Sequence, residues 1–193
     1  GGGVETFHAL FLASFHHLRV AFRSPEAGAS IRLHELTLFF RGYPLTQEGT
    51  FRCSDESLNR IYGAALHTME CSIDDAYLDC PGRERGGYPN DSYWASLGFL
   101  DVTGDFAFDR RYLRQFIDSQ EAMPLEGAIA PCYPSDTARW RGWTGRTYVI
   151  TGHVIYWLIQ SERHLRLTGD ANLKEKWKPG LVKALLALQR YRS

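Results

Sequence analysis

The chain has 193 residues, room for one ordinary domain or for parts of two. Lysine plus arginine equals aspartate plus glutamate, 22 against 22, so no global field draws nucleic acid or an anionic membrane, and an uncharged partner is expected. The 5 Trp, 10 Tyr and 11 Phe can fill a core or line a groove for a flat, partly apolar ligand such as a sugar ring.

Up to about residue 50 the hydrophobic rhythm is two. Leu18, Val20 and Phe22 alternate with Arg19, Ala21 and Arg23, and Leu36, Leu38 and Phe40 alternate with Thr37, Phe39 and Arg41. Two strands are therefore expected, joined by "SPEAGAS". So few strands cannot cover their own faces, which makes residues 1–49 read as the end of a larger β-sandwich. The N-terminal apolar run has no basic segment before it and no small-residue cleavage site after it, so it does not read as a signal peptide.

After "TQEGTFRCSD" the period becomes 3.6, and a second domain is expected over 50–193. Ser54 is positioned to cap a first helix whose stripe is Leu58, Ile61, Tyr62, Ala65, Leu66 and Met69. A second helix is expected from about Asp91 to the "TGD" at 103–105, with Tyr93, Trp94, Leu97 and Leu100 inward. A third should run from about Phe106 to Ala122, burying Tyr112, Leu113, Phe116 and Ile117. The fourth spans roughly Tyr148 to Leu167 and stops at another "TGD", where Gly169 suits the left-handed residue after a helix. The last segment reads as helical on both sides of a break at Pro179 and Gly180. Helix, short turn, helix is the repeated unit, and the connections 74–90 and 123–143 are long enough to hold function. No run of about 18 uncharged apolar residues occurs, so no membrane-spanning helix is expected.

The first long connection contains "DCPGRERGGYPND", 79 to 91. Five charges among glycines, prolines and an aromatic cannot pack as core. Asp79, Glu84 and Asp91 can supply carboxylates for hydroxyl groups or proton transfer, Arg83 and Arg85 can hold them or bind ligand oxygens, and Tyr88 can offer a ring to a sugar face. The same composition also suits a solvated loop held by salt bridges, with Asp91 as a helix cap. The stretch "EGAIAPCYPSD" at 126–136 has a similar texture and suits either a neighbouring wall or a plain turn. The four cysteines show no metal-binding spacing, so neither a metal nor another cofactor is expected.

The run Asp79-Cys80-Pro81-x-Arg83-Glu84-x-x-x-Tyr88-x-x-Asp91 resembles the signature of the α-L-rhamnosidases, the inverting enzymes of glycoside hydrolase family 78. More diffusely, "FRCSDESLNRIY" is similar to the segment that enters that family's catalytic toroid, "AIAPCYPSD" to a later active-site loop and "YWLIQSERHLRLTGD" to a following helix. The resemblance implies a mainly α fold, the first half of an (α/α)6 toroid preceded by strands of a β-sandwich. It further implies hydrolysis of a terminal α-L-rhamnosyl bond with inversion, on a rhamnose-containing glycoside or polysaccharide. Glu84 falls on the general acid, which burial or a neighbouring carboxylate would keep protonated. Asp79 and Asp91 match positions that bind rhamnose hydroxyls, and Arg83 matches a further polar contact. Tyr88 stands where the family usually has Trp, and Asn90 replaces a more usual Gly.

An inverting hydrolase also needs a second carboxylate, about 6.5–9.5 Å from the first. The resemblance places it beyond Ser193, which would leave this piece inactive by itself; Glu126 and Asp136 are present but in no matching context. Trp140 and Trp143, in "RWRGW", are candidate sugar contacts, whereas Trp157, His153 and His164 are assigned to packing or surface. Two other readings stay open: a carbohydrate-binding or degenerate toroid without catalysis, and a toroidal glycosidase or polysaccharide lyase for another sugar.

Overall fold

The structure, a computed structural model, describes residues 3–9, 14–23, 28, 30–133 and 149–190. The chain divides into two units, Gly1–Arg41 and Gly42–Ser193. In the first, no strand is present among the described residues, and Leu18, Val20, Phe22, Leu36, Leu38 and Phe40 are all exposed. A strand needs a ladder partner and a covered face, and the period-two pattern finds neither within this unit.

The second unit holds five helices among the described residues: α1 Glu56–Ser72, α2 Pro89–Thr103, α3 Phe106–Ser119, α4 Thr151–Thr168 and α5 Ala171–Arg190. Helix α4 is the central member and packs against α2, α3 and α5. Two-residue turns join α2 to α3 and α4 to α5. Gly104 and Gly169 end α2 and α4 in the left-handed region, with φ of 63° and 62°, and each donates its N–H to a carbonyl of the last turn. The "TGD" signal therefore has a backbone cause at both places.

Aspartate side chains cap α1 and α3. Asp55, not Ser54, caps α1 by accepting from the Ser57 amide at 2.8 Å. Asn59 explains the shift by one residue, because its side-chain amide grips Cys53 at both N–H and C=O and fixes the chain just before the cap. Asp105 caps α3 by accepting from the Ala107 and Phe108 amides, and it also accepts from the Tyr43 hydroxyl at 2.6 Å. Burial opposes the Asp105 carboxylate, but the phenol and amide bonds outweigh it and hold the carboxyl below its usual value. The contribution of this cap is complete above the ordinary carboxylate range and is lost as pH falls through the lowered value.

The core is aromatic. Phe99 of α2, Phe108, Tyr112 and Phe116 of α3, Trp157 of α4 and Trp177 of α5 are all buried, as is Tyr77 from the connection before α2. Burying each such side chain stabilises the fold by about 1.5–3 kcal/mol. Trp157 also donates its indole N–H to the Leu113 carbonyl at 3.1 Å, fastening α4 to α3. The inward stripe of α2 differs from the expected one: Trp94 is exposed, and Ser92, Ser96 and Phe99 are buried. Helix α1 buries no residue; Tyr62, Leu66 and Met69 are half-buried, while Leu58 and Ile61 are exposed.

Helix α5 runs unbroken through Pro179 and Gly180. Gly180 lies against α3, where a Cβ would approach the Gln120 side-chain oxygen to 3.0 Å and Ile117 to 3.1 Å. The Gln120 amide donates to the Gly180 carbonyl at 3.0 Å. Tertiary contact thus holds the helix across a pair of residues that would end an isolated one.

Candidate active site

The connection between α1 and α2 is held from beneath. Ile73 pairs with Tyr77 in a short bridge, and the Leu78 amide donates to the Ser72 carbonyl. Further on, Gly87 and Tyr133 exchange two main-chain bonds, at 2.9 and 3.2 Å, which joins this connection to the stretch before residue 134. The Tyr112 hydroxyl, fully buried on α3, reaches the Gly87 carbonyl at 3.0 Å and the Ser92 hydroxyl at 2.5 Å. A Cβ at Gly87 would meet the Tyr133 carbonyl oxygen at 2.7 Å and the Tyr112 ring at 2.8 Å. Neither neighbour is a flexible chain end. Gly87→Ala is expected to lower stability by about 1–3 kcal/mol, read by thermal unfolding, since two fixed neighbours must move.

Within this frame Asp79 closes the loop on itself. Its amide donates to the Gly86 carbonyl at 2.9 Å, and its carboxylate accepts from the Gly86 amide at 2.8 Å. Arg85 takes a φ of 51°, the left-handed region that costs a non-glycine residue about 1–3 kcal/mol. Its guanidinium donates to the Pro81 carbonyl at 2.7 Å and pairs with Asp74 at 3.6 Å, which holds that conformation.

Glu84 projects from the turn so formed. Its amide donates to the Cys80 sulfur at 3.4 Å, its carboxylate accepts from Arg83, and the Tyr88 phenol lies close enough to feel its charge. The carboxyl is about one-third exposed and touches no other carboxylate among the described residues, so the burial expected for a general acid is not seen among them. Tyr88 is pushed well above the usual phenol range, first by burial and then by the Glu84 and Cys132 side chains. Its hydroxyl therefore stays protonated beside Glu84.

Asp91 is not a cap. Proline at position 89 starts α2, with its fixed φ and missing N–H suited to the first helical position, and Tyr88 takes the cap position without a side-chain bond. That leaves Asp91 in the first turn of α2, exposed, with no hydrogen bond or ion pair among the described residues. Trp140, Trp143 and Asp136 lie outside the described residues. Glu126 is exposed and pairs with Arg190 at 3.2 Å on α5. Among the described residues no cluster of three or more His, Cys, Asp or Glu side chains is placed to hold a metal ion, and no helix is long and apolar enough to cross a membrane.

Two neighbours of this site were not singled out by sequence. Cys132 is buried beside Tyr88, and the His153 ring stands edge-on to the Tyr88 ring with centroids 5.6 Å apart. The texture of 126–136 pointed toward Cys132, whereas nothing local distinguishes His153 from a packing residue.

Residues 46–168 match the family model described as the bacterial α-L-rhamnosidase 6 hairpin glycosidase domain. The chain belongs to this family. Among solved structures it is similar to a GH78 family rhamnosidase of Bacillus sp. GL1, at 25% identity and a TM-score of 0.64 over 75% of this chain and 14% of that one. An α-L-rhamnosidase from Dictyoglumus thermophilum shares the fold at 18% identity and a TM-score of 0.60, over 76% of this chain and 16% of that one. This chain thus spans about one-seventh of the length of these two proteins. No curated protein matches it. The mainly helical fold is a portion of a six-hairpin glycosidase toroid, and the family is one of glycoside hydrolases.

Proposed function

We propose that the intact protein hydrolyses terminal α-L-rhamnosyl residues from glycosides or polysaccharides, with inversion, and that Glu84 is its general acid. The observation that supports this most directly is the family match over residues 46–168, which takes in Glu84 as a solvent-reachable carboxyl on a loop braced by α3 and α2. A proton passes from the Glu84 carboxyl to the glycosidic oxygen as the bond to the anomeric carbon breaks. A second carboxylate of the intact protein takes the proton of the attacking water.

Asp91, which has no hydrogen bond or ion pair among the described residues, stands at the start of α2 where it can accept from a rhamnose hydroxyl. Asp79 keeps one oxygen on Gly86 and has a second to offer. Arg83 and Tyr88 orient the acid, and Trp140 and Trp143 remain candidate sugar contacts. No cofactor is required by this chemistry.

Proton NMR of the reaction on a nitrophenyl α-L-rhamnoside tests the proposal. The first sugar formed should be β-L-rhamnose, which then mutarotates. An initial α product rejects inversion. Turnover of other nitrophenyl glycosides without any of the rhamnoside favours a toroidal enzyme for another sugar, a reading to which Tyr88 in place of Trp lends weight.

A further inference from the structure

His153 stands in the first turn of α4, and nothing in the signature at 79–91 includes it. Its Nδ1 lies 2.9 Å from the Pro131 carbonyl oxygen. A carbonyl oxygen only accepts, so Nδ1 holds the hydrogen of the neutral ring. Nε2 is then a lone-pair acceptor directed away from Pro131, and it has no hydrogen bond among the described residues. The ring is only half-buried, so Nε2 is not sealed in the core.

Three segments fix this imidazole. Helix α4 supplies its root, Pro131 sets its tautomer, and Tyr88 sets its tilt at an interplanar angle of 71°. Pro131 is itself placed by the Gly87–Tyr133 pairing two residues on. The Tyr88 phenol also lies within electrostatic reach of Glu84, so the imidazole and the acid share one aromatic neighbour. A packing histidine does not need a fixed tautomer with its second nitrogen left open; a reader of a neutral hydroxyl does.

We propose that His153 is a substrate-binding residue of the Glu84 site, accepting a hydrogen bond at Nε2 from a hydroxyl of the bound sugar and so helping to select it. This rests on the glycosidase reading above. The other acceptors of the loop, Asp79 and Asp91, are carboxylates, and His153 adds an imidazole acceptor beside Tyr88.

The test uses His153→Phe in the intact protein, which keeps a ring edge against Tyr88 and removes Nε2. With a nitrophenyl α-L-rhamnoside, kcat/KM should fall about tenfold, mostly through KM, the size of one lost hydrogen bond. With the monodeoxy substrates, variant and wild type should become equal on the one analogue that lacks the hydroxyl read by His153. An unchanged kcat/KM, or the same loss on every analogue, overturns the proposal, since a structural role would not single out one hydroxyl. Calorimetry with free L-rhamnose separates this from the reading it rests on. If wild type binds the sugar but turns over no rhamnoside, the hydrolytic reading fails alone and weaker binding by the variant still supports His153. Equal binding by the two proteins overturns the His153 proposal, and no binding by wild type overturns both.

Discussion

Glu84→Gln in the intact protein is expected to lower kcat on an alkyl or flavonoid rhamnoside by about 10²–10⁴-fold, the range that a positioned general acid supplies. The amide is isosteric and its oxygen can still accept from Arg83, so the loop and the sugar contacts persist and KM should change little. The loss should shrink as the leaving group improves. A dinitrophenolate departs without a proton, so removing the acid costs such a substrate far less than it costs an alkyl glycoside. Steady-state kinetics over a series of aryl and alkyl rhamnosides reads both effects. A loss below tenfold on the alkyl substrate, or one that ignores leaving-group pKa, would show that Glu84 does not donate the proton. It would then be only a partner of Arg83 and Tyr88.

The helices were legible because their causes are local. The two "TGD" turns end α2 and α4 through a left-handed glycine, and the cap of α3 by Asp105 lies in the same three residues. Where a distant residue decides, the sequence misleads by a few positions or misses the feature. Asn59 shifts the cap of α1 onto Asp55, and Ile117 and Gln120 carry α5 through its Pro-Gly pair. The signature loop was legible as chemistry but not as geometry. Its shape depends on Tyr112, 25 residues beyond Gly87, and on a main-chain pairing with Tyr133. The same distance hides His153, which reaches Tyr88 only once α4 is packed, and hides Asp109, which reads as one more acidic residue on an amphipathic helix.

Asp109→Ala is expected to lower stability more than any single change in the loop. Asp109 is 1% exposed and is the shared acceptor of three side chains from two segments: Tyr77 at 3.2 Å from the connection before α2, and Gln160 at 2.8 Å and His164 Nδ1 at 2.6 Å from α4. His164 is equally buried, lying against the rings of Phe106 and Trp177. Tyr77 stays protonated at all ordinary pH, since burial first and Asp109 second push its phenol well above the usual range, so it can only lose a partner when the carboxylate is removed. Breaking one side of a buried pair typically costs about 3–5 kcal/mol, because the remaining polar groups stay dehydrated and unmatched. For a domain of this size that is a drop in Tm of roughly 6–20 °C. The double change Asp109→Leu with His164→Phe removes both members, and it should recover most of the loss if the cost lies in stranded polar groups rather than in the missing attraction. Calorimetric unfolding of the single and double variants decides this. If the single variant unfolds within about 1 kcal/mol of wild type, then water or a neighbouring donor replaces the carboxylate, and the network ties α3 and α4 together less firmly than its geometry indicates.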